Sequence, residues 1–124
     1  MPVIRSTALE FATFPGRQSA DPLARGPSTG GSVRVVRIAP GPRTPHRHPR
    51  SSEVVYVVEG TGVAWEDGRR SDVAAGDLVA IPRGVPHATI AGAGGLLLVC
   101  FFPDPDLRSN LEELPNPQIE LLES

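Results

Sequence analysis

The sequence predicts an all-β protein with one hydrophobic core, built as a closed sandwich or barrel of the jelly-roll type. Its 124 residues are close to the usual size of a single domain. The 13 glycines and 14 prolines are spread between short apolar runs, a pattern typical of strands joined by tight turns. The hydrophobic fraction of 40% is rich in valine and leucine, which indicates a packed core rather than disorder.

Each predicted strand is a short apolar or alternating segment that ends at turn residues. An N-terminal strand around residues 7–13 is followed by an arm, rich in proline, glycine, serine and arginine, that runs to residue 31. Asp67-Gly68 is a strong hairpin signal between two later strands. The core strands are predicted at Ser32–Ala39, His46–His48, Glu53–Val58, Gly62–Glu66, Arg69–Val73, Leu78–Ile81, His87–Ile90 and Leu96–Phe102.

The pattern changes after residue 103. Asp104 can cap a helix that has Pro105 at its first position, and leucines follow at helical spacing. We therefore expect a short helix from about 105 to 114 and then a loose tail. The expected organisation is one domain: a strand and arm over 1–31, a barrel core over 32–103, and the helix and tail over 104–124.

Composition excludes several classes of function. The formal net charge is −2, so no nucleic-acid-binding surface is expected. All 12 basic residues are arginine, and the absence of lysine excludes Schiff-base chemistry and a P-loop. Cys100 is the single cysteine, which excludes an intramolecular disulfide and a thiolate metal cluster. Neither a signal peptide nor a membrane span is expected, and a cytoplasmic location follows by default.

The three histidines indicate a metal site. His46 and His48 form an H-x-H on an extended segment, where a period of two directs both rings to one face. Glu53 follows across a short turn. If the strand that carries His87 lies opposite, the set offers three nitrogens and one carboxylate, which suit Fe, Mn, Co, Ni, Cu or Zn. A lone histidine is more often a surface or core residue, but here all three fit one pattern.

Two motifs in this region resemble those of the cupin superfamily. The first cupin motif, G-x5-H-x-H-x3,4-E-x6-G, is matched by Gly41, His46, His48, Glu53 and Gly60. The spacer between Gly41 and His46 is one residue shorter than in the family pattern.

The second cupin motif, G-x5-P-x-G-x2-H-x3-N, is matched by Gly76, Pro82, Gly84 and His87, with Ala91 where the family often has asparagine. That asparagine is not a metal ligand in the family, so the resemblance still implies a metal at the three histidines and the glutamate. It implies a small single-domain cupin barrel. Because cupins catalyse many reactions, it leaves the reaction type open.

The resemblance leads us to expect a metal-dependent enzyme that acts on a small organic molecule and is most similar to oxygenases or dioxygenases. By analogy with oxygenase-type cupins, Glu53 is the catalytic candidate that leaves the metal to accept a proton. The alternatives are a redox-neutral zinc or nickel cyclase or isomerase, and a non-enzymatic cupin that binds a metal or ligand. Cupins of this size commonly pair, often by exchanging N-terminal strands, so a homodimer is also expected.

For the other residues near the motifs, a structural role is the default interpretation. Cys100, in an apolar strand, is expected to be an inert core residue, although a cavity-facing thiol is the alternative. Strand parity directs Tyr56 away from the face of Glu53. Three arginines crowd the first motif and are expected to be solvated or ion-paired, unless one of them holds an anionic substrate at the barrel mouth; they are Arg43, Arg47 and Arg50.

Overall fold

The computed structural model describes residues 2–24 and 30–123, in which nine β-strands form one curled sheet. The expectation of an all-β fold is confirmed. A short 3-10 helix, Ser6–Ala8, precedes the first strand. The strands are β1 (Phe11–Phe14), β2 (Arg17–Ala20), β3 (Ser32–Ile38), β4 (His46–Arg47), β5 (Glu53–Glu66), β6 (Arg69–Ala74), β7 (Leu78–Ile81), β8 (His87–Phe102) and β9 (Glu112–Glu113).

Strand β8 occupies the centre of the sheet. All strand pairs are antiparallel, and β8 pairs with β3, β4 and β5, while β5 also pairs with β6 and β7. The C-terminal half of β8 lies between β3 and the start of β5, and its N-terminal half pairs with the end of β5. This curling brings the first residues of β4, β5 and β8 to one end of the barrel.

Strands β5 and β8 are each longer than the sequence predicts. The sequence predicts two strands separated by glycines in each case, but the glycines lie at irregularities inside continuous strands. Gly60, at φ +95°, lies so close to Gly95 that an added Cβ would overlap the Gly95 carbonyl oxygen at 2.1 Å. A residue without a side chain is required there because two backbones meet.

The opposite end of the barrel is filled by apolar side chains. Val57 is fully buried and packs in a cluster with residues from β3, β6 and β8, among them Val73, Ala91 and Leu96. A second, smaller cluster joins Trp65 to the C-terminal segment. Burial of such side chains stabilises the fold by roughly 1.5–3 kcal/mol for each valine or leucine.

The N-terminal region differs from the prediction. The expected strand around residues 7–13 is instead a 3-10 turn followed by β1, which is Phe11–Phe14. Part of the predicted arm is a strand, because β2 pairs with both β1 and β3. Residues 25–29 of that arm lie outside the described residues.

The helix expected at 105–114 is absent: this segment forms turns and the two-residue strand β9. Tertiary contacts override the helical pattern here. The Arg50 guanidinium donates to the carbonyls of Asp106 and Ser109, which a helix would use for its own backbone bonds. Asn110 is fully buried and bonds to the loop before β5. Within the described residues, no helix has the length and apolar character needed to cross a membrane.

Candidate metal centre

Four side chains that are distant in sequence converge at the polar end of the barrel. They are His46 on β4, His48 just after it, Glu53 at the start of β5 and His87 at the start of β8, and their candidate ligand atoms lie within 4.8 Å of one another. His46 and His87 are direct partners in the β4–β8 ladder. His48, Glu53 and His87 are at most 5% exposed. The sequence-based expectation that these residues meet is therefore met by the geometry.

The hydrogen bonds of two rings indicate that a cation belongs among them. His48 Nδ1 lies 2.9 Å from the carbonyl of Asn110, and His87 Nδ1 lies 2.9 Å from the carbonyl of Val85. Because a carbonyl only accepts, each Nδ1 carries the proton, and a neutral ring then has an unprotonated Nε2.

Both Nε2 atoms face the same carboxylate oxygen. Glu53 Oε1 lies 3.1 Å from Nε2 of His48 and 2.9 Å from Nε2 of His87. A nitrogen lone pair directed at an ionised carboxylate oxygen is repelled by it unless a cation lies between the two atoms. Three imidazoles and one carboxylate therefore fit a divalent transition metal.

Electrostatics favour the ligand forms of Glu53 and His46. Burial by itself raises the pKa of Glu53, but the contacts of its carboxylate with the rings of His48 and His87 outweigh it and hold that pKa well below the usual range. Burial, with the nearby His87, lowers the pKa of His46 well below its ordinary value. An ionised carboxylate and a neutral imidazole are the forms that bind a metal.

Asn110 supports the site and was not identified from the sequence. Its carbonyl orients His48, its Oδ1 accepts from the backbone N–H of Arg50 at 2.7 Å, and its Nδ2 donates to Ser51 at 2.8 Å. It lies in the segment predicted as helix, 62 residues from His48, so no spacing signal could have linked the two.

The four residues open into a cavity of about 840 Å³, within the common size range of small-molecule sites. Strand parity with Glu53 and His87 predicts that Val55, Val57, Thr89 and Ala91 line it. Val55 and Thr89 do, whereas Val57 and Ala91 belong to the packed apolar cluster. Tyr56 points outward, as parity predicts, and is 40% exposed. Leucines of the C-terminal segment and apolar residues of the N-terminal segment also line it, and sequence reasoning missed them; they include Val3, Leu9, Leu107 and Leu111. Most of the wall is therefore apolar.

Cys100 belongs to the buried apolar cluster, as expected, and also lines the cavity. Its neighbours across the sheet are Arg34 on β3 and Val55 on β5. The thiol is buried, and burial together with the negative charge of Glu53 raises its pKa well above the ordinary value. The thiol is therefore protonated and a poor nucleophile, although it faces the candidate site.

The three arginines of the first motif have different surroundings. Arg47 pairs with Glu112 at the surface, and Arg50 pairs with Asp104, as expected for ion-paired residues. Arg43 is 4% exposed and lines the cavity, which contradicts the expectation of a solvated or ion-paired side chain. The sequence could not separate the three, because only the fold determines which of them points inward.

Comparison with known families agrees with this geometry. Residues 34–101, more than half of the chain, match the family described as Cupin domain. The chain belongs to the cupin family. An uncharacterized protein of Methanocaldococcus jannaschii is 34% identical over 61 residues, and this cupin spans about half (48%) of the length of that relative.

Solved structures show the same fold. A Streptomyces nucleoside dehydratase, which has also been solved with uridine, superposes with a TM-score of 0.75 at 16% identity, covering 97% of this cupin and 93% of that chain. The formate complex of a Lactobacillus farciminis oxalate decarboxylase superposes with a TM-score of 0.72 at 25% identity, covering 87% of this cupin and 34% of that chain.

Proposed function

We propose that this cupin is a metal-dependent enzyme that acts on a small organic molecule, with His46, His48, Glu53 and His87 as the metal ligands. The observation that carries the proposal is the pair of Nε2 atoms directed at one oxygen of Glu53 beside an open cavity. A divalent first-row metal bound there would polarise an oxygen atom of the substrate and, if it is redox-active, support oxidation by O2.

The first candidate reaction is an oxygenation. Beyond the proposed ligands, the cavity is lined by two carboxylates, four arginines and one thiol, but most of its wall is apolar, which favours chemistry carried by the metal over chemistry by side chains. Glu53 is the proposed catalytic residue: released from the metal, its carboxylate would accept a proton from the substrate. Val55 and the other apolar wall residues would exclude water from the reacting atoms.

The second candidate is a redox-neutral cyclase or isomerase. The observation that favours it is that Thr89 and Cys100 bring an exchangeable proton each into the cavity that also holds Glu53. A non-enzymatic cupin that binds only a metal or ligand would be favoured by a filled interior, whereas this cavity is open. We further propose a homodimer of single-domain chains, located in the cytoplasm.

Elemental analysis of the freshly purified protein tests the metal proposal. We expect about one transition metal ion per chain, removed by a chelator and absent from a His87→Gln variant. Iron with substrate-dependent O2 consumption would support oxygenation, and zinc or nickel with no O2 consumption would support the second candidate. A protein that binds none of these metals when they are added contradicts the proposal.

Glu53→Gln tests the proton-accepting role. The glutamine keeps an oxygen donor but cannot be an anionic base, so we expect turnover to fall by at least about 100-fold, a typical loss for a general base. Metal content is measured in the same preparation. A variant that retains both its metal and its activity contradicts the role of Glu53.

A further inference from the structure

The cavity contains a buried cation whose hydrogen bonds are incomplete. Nη1 of Arg43 donates to the carbonyl of Thr89 at 2.8 Å. Its Nε and Nη2 are closed off from solvent and have no hydrogen-bond partner among the described residues. A buried guanidinium with two unpartnered donor nitrogens is costly to the fold, and such groups are usually matched by a partner.

The position of Arg43 is fixed by the backbone. Its N–H donates to the carbonyl of Ile119 at 2.9 Å, and its own carbonyl accepts from the N–H of Ile119 at 2.7 Å. Gly16, in the turn between β1 and β2, lies against the guanidinium; a Cβ there would be 2.8 Å from Nε. The arginine is therefore held in place rather than free to reach solvent.

The surroundings do not neutralise this charge. Burial, followed by the repulsion of Arg17, lowers the pKa of Arg43 to about 10, against weaker opposing effects from Glu113, Cys100 and Glu53. Arg17 and Glu113 are already paired with each other at 2.7 Å. An anion bound in the cavity would offset the cost of the buried charge.

The distance to the metal centre limits the size of that anion. Thr89, the partner of Arg43, lies two residues after His87 on β8, a separation of about 6.8 Å along a strand. A molecule of a few heavy atoms is long enough to place one polar group at the guanidinium and another among the four candidate ligands. The guanidinium fork suits a carboxylate, which accepts two parallel hydrogen bonds.

From this arrangement we infer that Arg43 is a substrate-binding residue and that the substrate is a small carboxylic acid with a second oxygen donor. The carboxylate accepts hydrogen bonds from Arg43, and the second oxygen faces the His46, His48, Glu53 and His87 cluster. The inference rests on the proposed function, because it assigns the substrate class of the same site. Thr89 positions the guanidinium, and Gly16 leaves the space that it occupies.

Calorimetric titration of the metal-loaded protein with glycolate tests the inference, with glycolamide as the uncharged probe of the same size. We expect glycolate to bind at least about tenfold more tightly than glycolamide, since charge-assisted hydrogen bonds are the stronger kind. Arg43→Gln should weaken glycolate binding by about tenfold or more and leave glycolamide unchanged. Arg43→Lys should retain part of the difference, because it keeps the charge but not the fork.

Arg47→Gln is the matched control. It removes one arginine charge from the same motif, but Arg47 is paired with Glu112 at the surface, so glycolate binding should stay within about threefold. Melting curves show whether each variant folds. Removing a buried cation with unpartnered donors should not lower the melting temperature appreciably. If Arg43 had only a structural role, its replacement would weaken the binding of glycolate and of glycolamide equally.

Three results overturn the inference: equal affinity for glycolate and glycolamide, no glycolate binding at millimolar concentration, or an Arg43→Gln variant that binds glycolate as the wild type does. Metal content, measured in parallel, separates this failure from that of the proposed function. A protein that binds metal normally but shows no charge discrimination refutes the substrate class alone. If no metal binds, the proposed function fails, and the same titration of the metal-free protein still tests Arg43.

Discussion

The two ends of the barrel interior are built from the same strands but differ in content. At one end, Glu53 of β5 and His87 of β8 face a cavity of about 840 Å³. At the other end, Val57 of β5 and Leu96 of β8 are at most 4% exposed and belong to a packed apolar cluster. Both ends follow the same alternation of inward and outward side chains. The hollow end differs from the filled end in carrying the four candidate metal ligands among its inward side chains.

We expect the polar end of the barrel to affect metal and ligand binding, and the filled end to affect the stability of the fold. The polar end holds buried groups that cost free energy unless a ligand or metal partners them, as shown by the unpartnered nitrogens of Arg43. The filled end has well-packed aliphatic side chains that offset this cost. Substitutions at the two ends should therefore affect different measured quantities.

The largest expected effect is the loss of metal from a ligand variant. His87→Ala removes one of the four proposed donors and should weaken metal affinity by more than about 100-fold, because even changes outside a ligand set cost 10–100-fold. Competition with a chelator of known affinity measures this. Folding should persist, since the filled end is untouched; unchanged metal affinity would show that His87 is not a ligand.

The second-largest effect on metal affinity is expected from Asn110, whose backbone carbonyl orients His48. Asn110→Ala removes the bonds to Ser51 and to the backbone of Arg50, so the carbonyl that orients His48 loses its anchor. We expect metal affinity to fall by about tenfold or more. The same chelator competition measures it, with Ser109→Ala as a neighbouring control. An effect no larger than that of the control would contradict this role.

At the filled end, Val57→Ala should destabilise the protein by about 2 kcal/mol and lower the melting temperature by about 6 °C, because it leaves a cavity among packed side chains. Metal affinity should be unchanged. Calorimetric melting with and without metal measures both quantities. A loss of metal affinity comparable to that of the ligand variant would show that the two ends are coupled.

The smallest effect is expected on the outer face of the same strand. Tyr56→Thr replaces a side chain that is 40% exposed with another good strand former. The free energy of unfolding should change by less than about 1 kcal/mol. Denaturant titration beside Val57→Ala measures the contrast, and equal losses for the two neighbours would contradict the inward and outward assignment.

The barrel strands and the four clustered side chains could be predicted because local patterns encode them. Alternation along β5 correctly separates Val55 from Tyr56, and the spacing of His46, His48, Glu53 and His87 marks residues that the structure brings together. The continuity of β5 and β8 was missed, because glycines that permit close backbone contact also resemble strand ends.

The C-terminal segment shows the limit of local patterns. Asp104-Pro105 and the spaced leucines favour a helix, yet contacts with Arg50 and the buried Asn110 hold turns instead. Propensity is a weak effect, and a few buried hydrogen bonds outweigh it. No feature of the sequence indicates those contacts, because their partners lie more than 50 residues away.

Residue type and spacing alone predict an all-β scaffold and a histidine–glutamate pattern suited to a metal, in a chain with no lysine and one cysteine. They could not establish which polar side chains share the cavity. The sequence pattern does not distinguish Arg43 from Arg47. The curl of the sheet buries Arg43 with two of its nitrogens lacking a hydrogen-bond partner among the described residues, and it leaves Arg47 paired with Glu112 at the surface. The physical reason is that burial and charge pairing depend on contacts between distant segments, which local sequence does not contain.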